Sequence, residues 1–483
     1  MTALFIILTP VIASIISFSA KNRIKILNAT AIAASSVELA ATLLIVSDVV
    51  RNGVYSLAPY ISVDYLGSIL MLIVAVVGMA ASWYSTGYLR TEVSKEIIGF
   101  RRVRQYFTLL HLFLMAMFFA IMTTSPILMW IAIEATTLST AFLISFYNKP
   151  SAIEAAWKYL VINSVGLLLG FFGTLLLMYP AFKSGNNGLV DWHTLLAGVS
   201  GLDPFIAKVA FIFVIIGYGT KVGLAPMHTW LPDAHGKAPV PVSSLLSGVL
   251  LNVALLAILR FRVVVDAAVG QSFSRELLIF FGTLSIVVAS FIIFTQKNYK
   301  RLLAYSSIEH MGIAALGFGF GGAGTFAAIL HMIYHSLTKS ILFLSSGNIF
   351  LKYSSTKIAK VKGALSALPI TGVLFIIGFL SITGVPPFGI FFTEFSILSA
   401  GIHEHPAVIV IVMISLVLAF IGFLESVVGM MFGENDEEIT VEKEKTMSST
   451  ITPIIILAAI LIIISVFVPS ALKFLITSAS LTY

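Results

Sequence analysis

The segment from Gly217 to Arg260, GYGTKVGLAPMHTWLPDAHGKAPVPVSSLLSGVLLNVALLAILR, decides how this chain is interpreted. An apolar helix that begins near Phe205 carries Lys221 close to its end, and Pro226 then interrupts it. Proline removes a backbone donor and clashes with the preceding turn, and broken backbone within lipid survives only where protein or a water-filled cavity covers it. A lysine beside such a break predicts an ion or proton pathway. The alternative is a lysine that snorkels to the headgroups.

The composition indicates a membrane protein. Of 483 residues, 58% are hydrophobic and 11% are charged, whereas about a quarter of the residues in a soluble protein are charged. The chain has no cysteine, which excludes disulfides, iron–sulfur clusters and thiolate metal sites. The net charge of +7 does not predict nucleic-acid binding, because most of the basic residues lie in loops between apolar runs. The first apolar run lacks a basic segment before it, so we expect a retained span rather than a signal peptide.

The apolar runs predict an all-α polytopic membrane protein with about fourteen transmembrane helices. The predicted spans are 2–19, 27–47, 65–88, 106–123, 127–146, 155–179, 205–225, 240–260, 277–295, 302–320, 323–350, 367–392, 407–431 and 450–468.

Lysines and arginines outside these spans concentrate in alternate loops, which sets the orientation. We expect a multi-pass protein of the cell membrane with both termini outside and the loops 89–105 and 351–363 in the cytoplasm. Arg260 and Arg262 are assigned to an outer loop and Lys300 to an inner one. The acidic run Glu434 to Glu444 is predicted to be a solvated inner loop.

A second interrupted helix ends in TGVPPFGIFFTEF, residues 383–395. Paired Pro/Gly-interrupted spans in two halves of a chain indicate a transport site. The predicted division is therefore N-terminal helices 1–105, a first repeat 106–262 broken near Pro226, a second repeat 276–431 broken near Pro386, and 432–483 for the acidic loop and last helix.

Lysine followed by P-x-H-x-W-L-P-D-A-H resembles the antiporter-like membrane subunits of respiratory complex I, membrane-bound hydrogenases and multi-subunit cation/proton antiporters. The segments KPSAIEAAWKYLVINSVG (149–166) and AYSSIEHMGIAALGFG (304–319) most resemble the component F group of hydrogenase-4 type formate hydrogenlyases. The resemblance covers roughly residues 60–430. It implies inverted five-helix repeats, which fit the division above.

Three ionisable residues in the first half carry the family's roles by resemblance. Glu134, in MWIAIEATTLSTAFLISF, is the glutamate that pairs electrostatically with Lys221. A structural salt bridge is the alternative for this pair. Lys158 would continue the polar path, although a snorkelling lysine is also consistent with its place near the end of a span.

In the second half, AAILHMIYHSLTKSILF places His331, His335 and Lys339 on one helix face at i, i+4 spacing. Histidine titrates near neutral pH and relays protons. The alternatives are helix packing, or a haem, which would need an axial partner that no family motif supplies. The resemblance makes Glu394 the terminal carboxylate before the outer exit.

Six further ionisable residues have less defined roles. Glu309 and His310, just inside the tenth span, suit either a relay or a cap. His228 and His235 belong to the broken segment and would line the inner mouth. For Glu38 and Glu425, also in apolar spans, we expect only contacts to partner subunits.

One position departs from the family pattern. Many antiporter-like subunits carry a lysine in the eighth span, where this chain has Asn252 in LSGVLLNVALLAILR. An amide can hold a water but cannot carry a proton at neutral pH. We therefore expect either a water-mediated step at Asn252 or a subunit that conducts poorly.

The leading hypothesis is a proton-translocating, antiporter-like subunit of a membrane-bound hydrogenase or complex I-like oxidoreductase. It would hold no redox centre, cofactor or metal of its own, and its partners would be other membrane subunits and the lipid bilayer, not nucleic acid. Two alternatives remain open: a subunit of a cation/proton antiporter without redox activity, and a non-conducting membrane scaffold.

Overall fold

The computed structural model describes residues 2–21, 23–57, 59–183, 190–434 and 448–483. Nearly all of the predicted acidic loop, Glu434 to Glu444, lies outside these residues. Within them the chain is helical apart from one two-stranded hairpin and connecting turns. The predicted all-α polytopic fold is therefore confirmed.

The elements follow one another along the chain and are numbered in that order. They are α1 (Thr2–Ser19), α2 (Ile24–Asn52), β1 (Tyr55–Leu57), β2 (Ile61–Val63), α3 (Tyr65–Ser94), α4 (Phe100–Met122), α5 (Pro126–Ile144), α6 (Pro150–Lys183), α7 (Trp192–Ala197), α8 (Pro204–Val222), α9 (Trp230–Lys237), α10 (Val240–Leu245), α11 (Leu251–Val269), α12 (Gln271–Thr295), α13 (Tyr299–Phe320), α14 (Ala323–Tyr353), α15 (Ala364–Ala367), α16 (Pro369–Ile382), α17 (Gly389–Gly401), α18 (Pro406–Phe432), α19 (Ser448–Val466) and α20 (Ser470–Ser480).

By length and composition, 12 helices among the described residues could cross a membrane, with α10 and α11 counted as one helix. The buried helix α13 has 22 residues, which is long enough for a further crossing. The segments α16 and α17 have 14 and 13 residues, each about 20 Å long, so they cross only as an interrupted pair. The number of crossings agrees with the prediction.

Both predicted helix breaks are present, and the helix before each break ends in the same backbone conformation. Helix α8 ends before Gly223 (φ 84°), and Leu224 N–H donates to the Gly219 carbonyl at 2.9 Å. Helix α16 ends before Gly384 (φ 62°), and Val385 N–H donates to the Leu380 carbonyl at 3.0 Å. This is the Schellman termination, which needs a residue in the left-handed region and so favours glycine.

Helices α6 and α8 approach each other closely because both lack side chains where they meet. A β-carbon added to Gly217 would collide with the Gly170 backbone, and one added to Gly166 would lie 2.7 Å from Thr220 Oγ1. Small residues at a helix interface let backbones come together in lipid. The contact brings the end of α8, with Lys221, against α6.

The described ends of the chain lie on the same face of the molecule, which we call the hairpin face because it carries β1 and β2. Ala3 N–H donates to Tyr55 Oη at 3.3 Å, and Tyr483 Oη donates to Asp64 at 2.8 Å. Burial, with the neighbouring Asp64 carboxylate, raises the pKa of Tyr483. Neither the hairpin nor α20 was predicted, because both are too short for the span pattern. The opposite face is the far face.

Three basic residues assigned to loops are buried instead, because α11 and α13 extend beyond the predicted spans. Arg260 and Arg262 are 8% and 3% exposed. They donate to the carbonyls of Ile121 and Phe318, each at 2.8 Å, and so satisfy the C-terminal ends of α4 and α13. Lys300 is 4% exposed and donates to the Ala238 carbonyl at 2.7 Å.

The two unassigned glutamates differ in their surroundings. Glu38 is 2% exposed, packed inside this chain, so the expected contact with a partner subunit is wrong for it. Glu425 is exposed on α18 and remains available for such a contact.

Candidate functional site

Lys221 is fully buried at the end of α8, where the close approach to α6 places it among hydroxyl groups. Its Nζ donates to Thr137 Oγ1 at 2.9 Å and to Tyr159 Oη at 2.7 Å. Nζ also lies 4.8 Å from the centre of the Tyr159 ring. Trp230, the first residue of α9 beyond the break, packs edge-on against that ring with centroids 5.0 Å apart. Trp230 therefore covers the lysine site on the side of the far face.

Glu134 is connected to this lysine through a threonine. Thr137 Oγ1 donates to Glu134 Oε2 at 3.2 Å, and Ser164 Oγ donates to Oε1 at 2.7 Å. No ion pair within 4.0 Å joins Glu134 to Lys221 in the part of the chain that the structure describes. Glu134 is half-buried, on the α5 face that also exposes Ile131 and Leu138. The carboxylate thus lies between the interior lysine and an outer helix face.

Lys158 does not join this cluster. Its side chain is 48% exposed and pairs with Glu154 at 2.7 Å and Asp233 at 3.5 Å. Successive residues point about 100° apart on a helix, so Tyr159 turns inward and Lys158 outward. The structure favours the surface alternative for Lys158, and exposed ion pairs of this kind contribute little stability.

A row of imidazoles occupies the middle of the second half. His310 Nδ1 lies 3.1 Å from His331 Nε2, and His331 Nδ1 lies 2.9 Å from Thr393 Oγ1. His335 stacks on His310 with ring centroids 5.5 Å apart. His310 Nδ1 is also 4.0 Å from Glu394 Oε1. This row connects α13 and α14 to α17, just beyond the second break.

The capping alternative for Glu309 and His310 is wrong. Helix α13 begins at Tyr299 and is capped by Asn298, whose side chain accepts from Arg301 N–H, so both residues lie in the helix interior. Glu309, His310 and Glu394 line a cavity of about 30 Å³, which is room for a water or two.

Lys339 completes the stripe on α14 and is fully buried. It donates to the Leu303 carbonyl at 2.9 Å and to Ser306 Oγ. All three stripe residues thus contact α13, as their common helix face predicts.

The departure at Asn252 lies beside this stripe. Asn252 is fully buried, and its Nδ2 donates to Ser336 Oγ at 2.8 Å and to the Gly248 carbonyl at 3.2 Å. Its Oδ1 has no protein partner among the described residues. Since buried amide oxygens are rarely left unsatisfied, this atom favours a water at the junction of α11 and α14.

The histidines of the first break lie deeper than a mouth position implies. His235 is fully buried and stacks on Phe343 with centroids 5.1 Å apart, and neither of its ring nitrogens has a partner within the described residues. His228 is 8% exposed, with its ring centroid 6.3 Å from that of Tyr305.

Several polar residues of these networks were not anticipated. Thr137, Tyr159 and Ser164 were missed because hydroxyl residues are common in apolar helices and give no charge signal. Buried Glu92, in α3, was missed because it lies near the end of a span. Its carboxylate accepts from Tyr147 Oη at 2.6 Å.

The side chains present suit proton transfer through carboxylates, lysines, imidazoles and hydroxyls. Among the described residues, no group of three or more His, Cys, Asp or Glu could hold a metal ion. That the chain uses neither metal nor cofactor remains a prediction.

Sequence comparison supplies independent information. Residues 123–422 match the family model described as "NADH:quinone oxidoreductase/Mrp antiporter, TM". A hydrogenase-4 component F homolog of Methylacidiphilum infernorum is 38% identical over 375 residues, 77% of this chain and 79% of the relative. NADH-quinone oxidoreductase subunit M of Rickettsia felis is 30% identical over 315 residues, 65% of this chain and 60% of the relative.

Solved structures share the fold along almost the whole chain. A chain of the membrane-bound sulfane sulfur reductase, an archaeal respiratory membrane complex, matches with a TM-score of 0.86 at 23% identity, covering 99% of this chain and 97% of that one. A chain of the Mrp complex from Dietzia sp. gives 0.85 at 18% identity, covering 100% and 97%. A chain of Thermus thermophilus respiratory complex I gives 0.76 at 21% identity, covering 96% and 97%. All three are parts of membrane complexes.

Proposed function

Because the chain belongs to the NADH:quinone oxidoreductase/Mrp antiporter transmembrane family, we propose that it is a proton-translocating subunit of a membrane-bound hydrogenase or complex I-like oxidoreductase. The observation that carries the proposal is Lys221, fully buried and linked through Thr137 to a half-buried carboxylate. A buried ammonium is costly without such a partner.

The hydrogen bonds from Lys221 through Thr137 to Glu134 couple a charge outside this chain to the proton on Lys221. Desolvation disfavours the charged form of a lysine, whereas a nearby carboxylate favours it. A charge change in a neighbouring subunit against the α5 face would alter the interaction of Glu134 with Lys221. Lys221 would then bind or release a proton, and electron transfer elsewhere in the complex would be coupled to pumping.

In the second half the proton moves along the imidazole row. His335, His310 and His331 relay it toward Glu394, which releases it on the hairpin face. Asn252 contributes a bound water rather than a charge where the halves meet. The proposal places the hairpin face, with both termini, outside the cell membrane. The two halves correspond to 106–262 and 276–431, with one break in each.

A subunit of a cation/proton antiporter without redox activity is the second candidate, since the matching family description covers both kinds of protein. The same residues would serve, and the genes encoded beside this one would distinguish the two. A pure scaffold is disfavoured by the fully buried Lys221, Lys339 and His310 network, which a scaffold does not need.

The test is proton flux by the complex that contains this chain, in vesicles with an internal pH-sensitive dye. Glu134→Gln and Lys221→Ala should each abolish pumping while the complex still assembles. Lys208→Ala, exposed on the same helix as Lys221, and Glu425→Gln, exposed on α18, are matched controls. Retained pumping in either test variant would reduce the pair to a structural role.

A further inference from the structure

A pocket of about 220 Å³ opens on the far face, where the end of α3, the loop before α6 and the end of α14 meet. Its lining includes Glu92, Lys95, Tyr147, Lys149 and Leu351. The two lysines are exposed, whereas Glu92 is fully buried. The carboxylate therefore forms the inner wall of a pocket with a basic rim.

One carboxylate oxygen of Glu92 accepts a hydrogen bond from the protein and the other does not. Tyr147 Oη donates to Oε1 at 2.6 Å, and Tyr88 Oη lies 3.1 Å from Tyr147 Oη. Oε2 is buried and has no hydrogen-bond partner within the described chain. A buried carboxylate oxygen without a partner is costly, so water in the pocket is the expected partner.

Further basic groups continue inward from this carboxylate. Glu92 interacts electrostatically with the buried Lys300, beyond direct ion-pair distance. The Lys300 Nζ donates to the carbonyl of Ala238, three residues after His235. The Lys339 Nζ donates to an α13 carbonyl three residues after Lys300. A series of ionisable side chains therefore leads from the far-face pocket to the stripe on α14: Glu92, Lys300, His235 and Lys339.

Two other roles fit this pocket less well. A purely structural ion pair would place Glu92 and Lys300 in contact, yet the Lys300 Nζ donates to the Ala238 carbonyl instead. An anionic lipid headgroup would be attracted by the rim, but Lys95 already donates to the Leu351 carbonyl at 2.7 Å. The Glu92 carboxylate would also repel a phosphate in the same pocket.

We propose that Glu92 is the proton-uptake site of the far face and that Lys300 passes the proton on toward His235 and Lys339. A hydronium ion in the pocket gives its proton to Glu92 Oε2 and leaves as water. The neutral carboxyl then protonates the neutral amine of Lys300, through water, and becomes a carboxylate again. Tyr147 and Tyr88 hold the carboxyl in place, and Lys95 and Lys149 are the other charged groups that line its pocket. This inference rests on the proposed proton translocation.

The test uses the assembled complex in vesicles, with the flux assay described above. Glu92→Gln should lower proton flux at least about tenfold, because a positioned proton-transfer group contributes this much or more. Glu92→Asp should retain most of the flux. Glu96→Gln, exposed in the adjoining loop, is the matched control and should behave as wild type.

The outcomes separate the two proposals. Absence of proton flux in the wild-type complex would overturn the proposed function itself, whereas flux in Glu92→Gln equal to wild type would overturn only the uptake site. If the double variant Lys95→Gln/Lys149→Gln loses flux while Glu92→Gln does not, the pocket binds an anionic headgroup instead.

A second measurement does not depend on assembly of a variant. Carbodiimides modify protonated carboxyl groups in apolar surroundings, so wild-type membranes treated with one should yield a peptide labelled at Glu92 by mass spectrometry. Glu96, in water, should remain unlabelled at neutral pH. A Glu92 peptide without label at every pH from 6 to 8 would contradict uptake through this carboxyl.

Discussion

Lys221 donates a hydrogen bond to Thr137 Oγ1 at 2.9 Å, and this contact, rather than a direct ion pair, connects the lysine to Glu134. The threonine hydroxyl accepts from the ammonium and donates to the carboxylate. Because a hydroxyl has one proton and two lone pairs, it can fill both roles at once. The strength of the coupling between the two charges therefore depends on a neutral side chain.

Replacing that hydroxyl tests the connection. Thr137→Val keeps the shape but removes both hydrogen bonds, and hydrogen bonds to charged groups contribute about 1.5–3 kcal/mol each. We expect proton flux to fall toward the level of Lys221→Ala, with the complex still assembled. The measurement is dye-reported flux in vesicles.

Thr137→Ser preserves the hydroxyl and is expected to retain flux. Thr136→Val is the matched control, because its buried hydroxyl donates only to the Ile133 carbonyl one turn before it, at 2.6 Å. Full flux in Thr137→Val would show that Glu134 acts on Lys221 through space alone.

The residues that sequence reasoning found and missed differ in a physical way. Lys221, Glu134 and His331 stand out because a charge in an apolar run is costly, and that cost is visible without coordinates. Thr137 carries no such cost, so only its hydrogen bond with Lys221 in the folded protein reveals it.

Arg260 and Lys300 were misplaced for another reason. Charge counting assigns a basic residue to a loop when it lies at the end of an apolar run. Here the helices continue, and the side chains turn inward to satisfy carbonyls. The boundary of a span is the least reliable part of such a prediction.

The orientation of the chain can be tested with introduced cysteines, since the chain has none. Glu96 and Ser354 are exposed on the far face and Tyr60 on the hairpin face. In intact cells, a membrane-impermeant maleimide should label Tyr60→Cys and leave Glu96→Cys and Ser354→Cys unlabelled until the cells are opened. Labelling of Glu96→Cys in intact cells would reverse the assigned orientation.

Arg260 should matter for stability rather than for flux. Its guanidinium donates to the Ile121 carbonyl at 2.8 Å and lies 5.9 Å from the Trp192 ring centre. Arg260→Ala leaves the end of α4 without this donor, and we expect the free energy of unfolding to fall by about 1.5–3 kcal/mol. Thermal unfolding of the purified protein in detergent is the measurement. Arg51→Ala, exposed at the end of α2, is the control and should not shift the midpoint.

Asn252 lies fully buried at the junction of α11 and α14. Its Nδ2 is held by Ser336 and Gly248, while its buried Oδ1 has no protein partner in the described residues. A water at Oδ1 would satisfy this amide and would also carry a proton between the halves. The position would then be polar and hydrated before any substitution is made.

Asn252→Lys should therefore assemble, and its proton flux should be kept or raised, because the new ammonium takes the place of the water. Leu255→Lys, one turn further along α11 and equally buried, is the matched control. Burying an unpaired charge at this apolar position costs several kcal/mol of folding free energy, so assembly should fail. Asn252→Leu should assemble and lose flux, since it removes the polar group that holds the water. Failure of Asn252→Lys to assemble, alongside Leu255→Lys, would show a dry, packed junction, and a non-conducting scaffold would become the better account of this subunit.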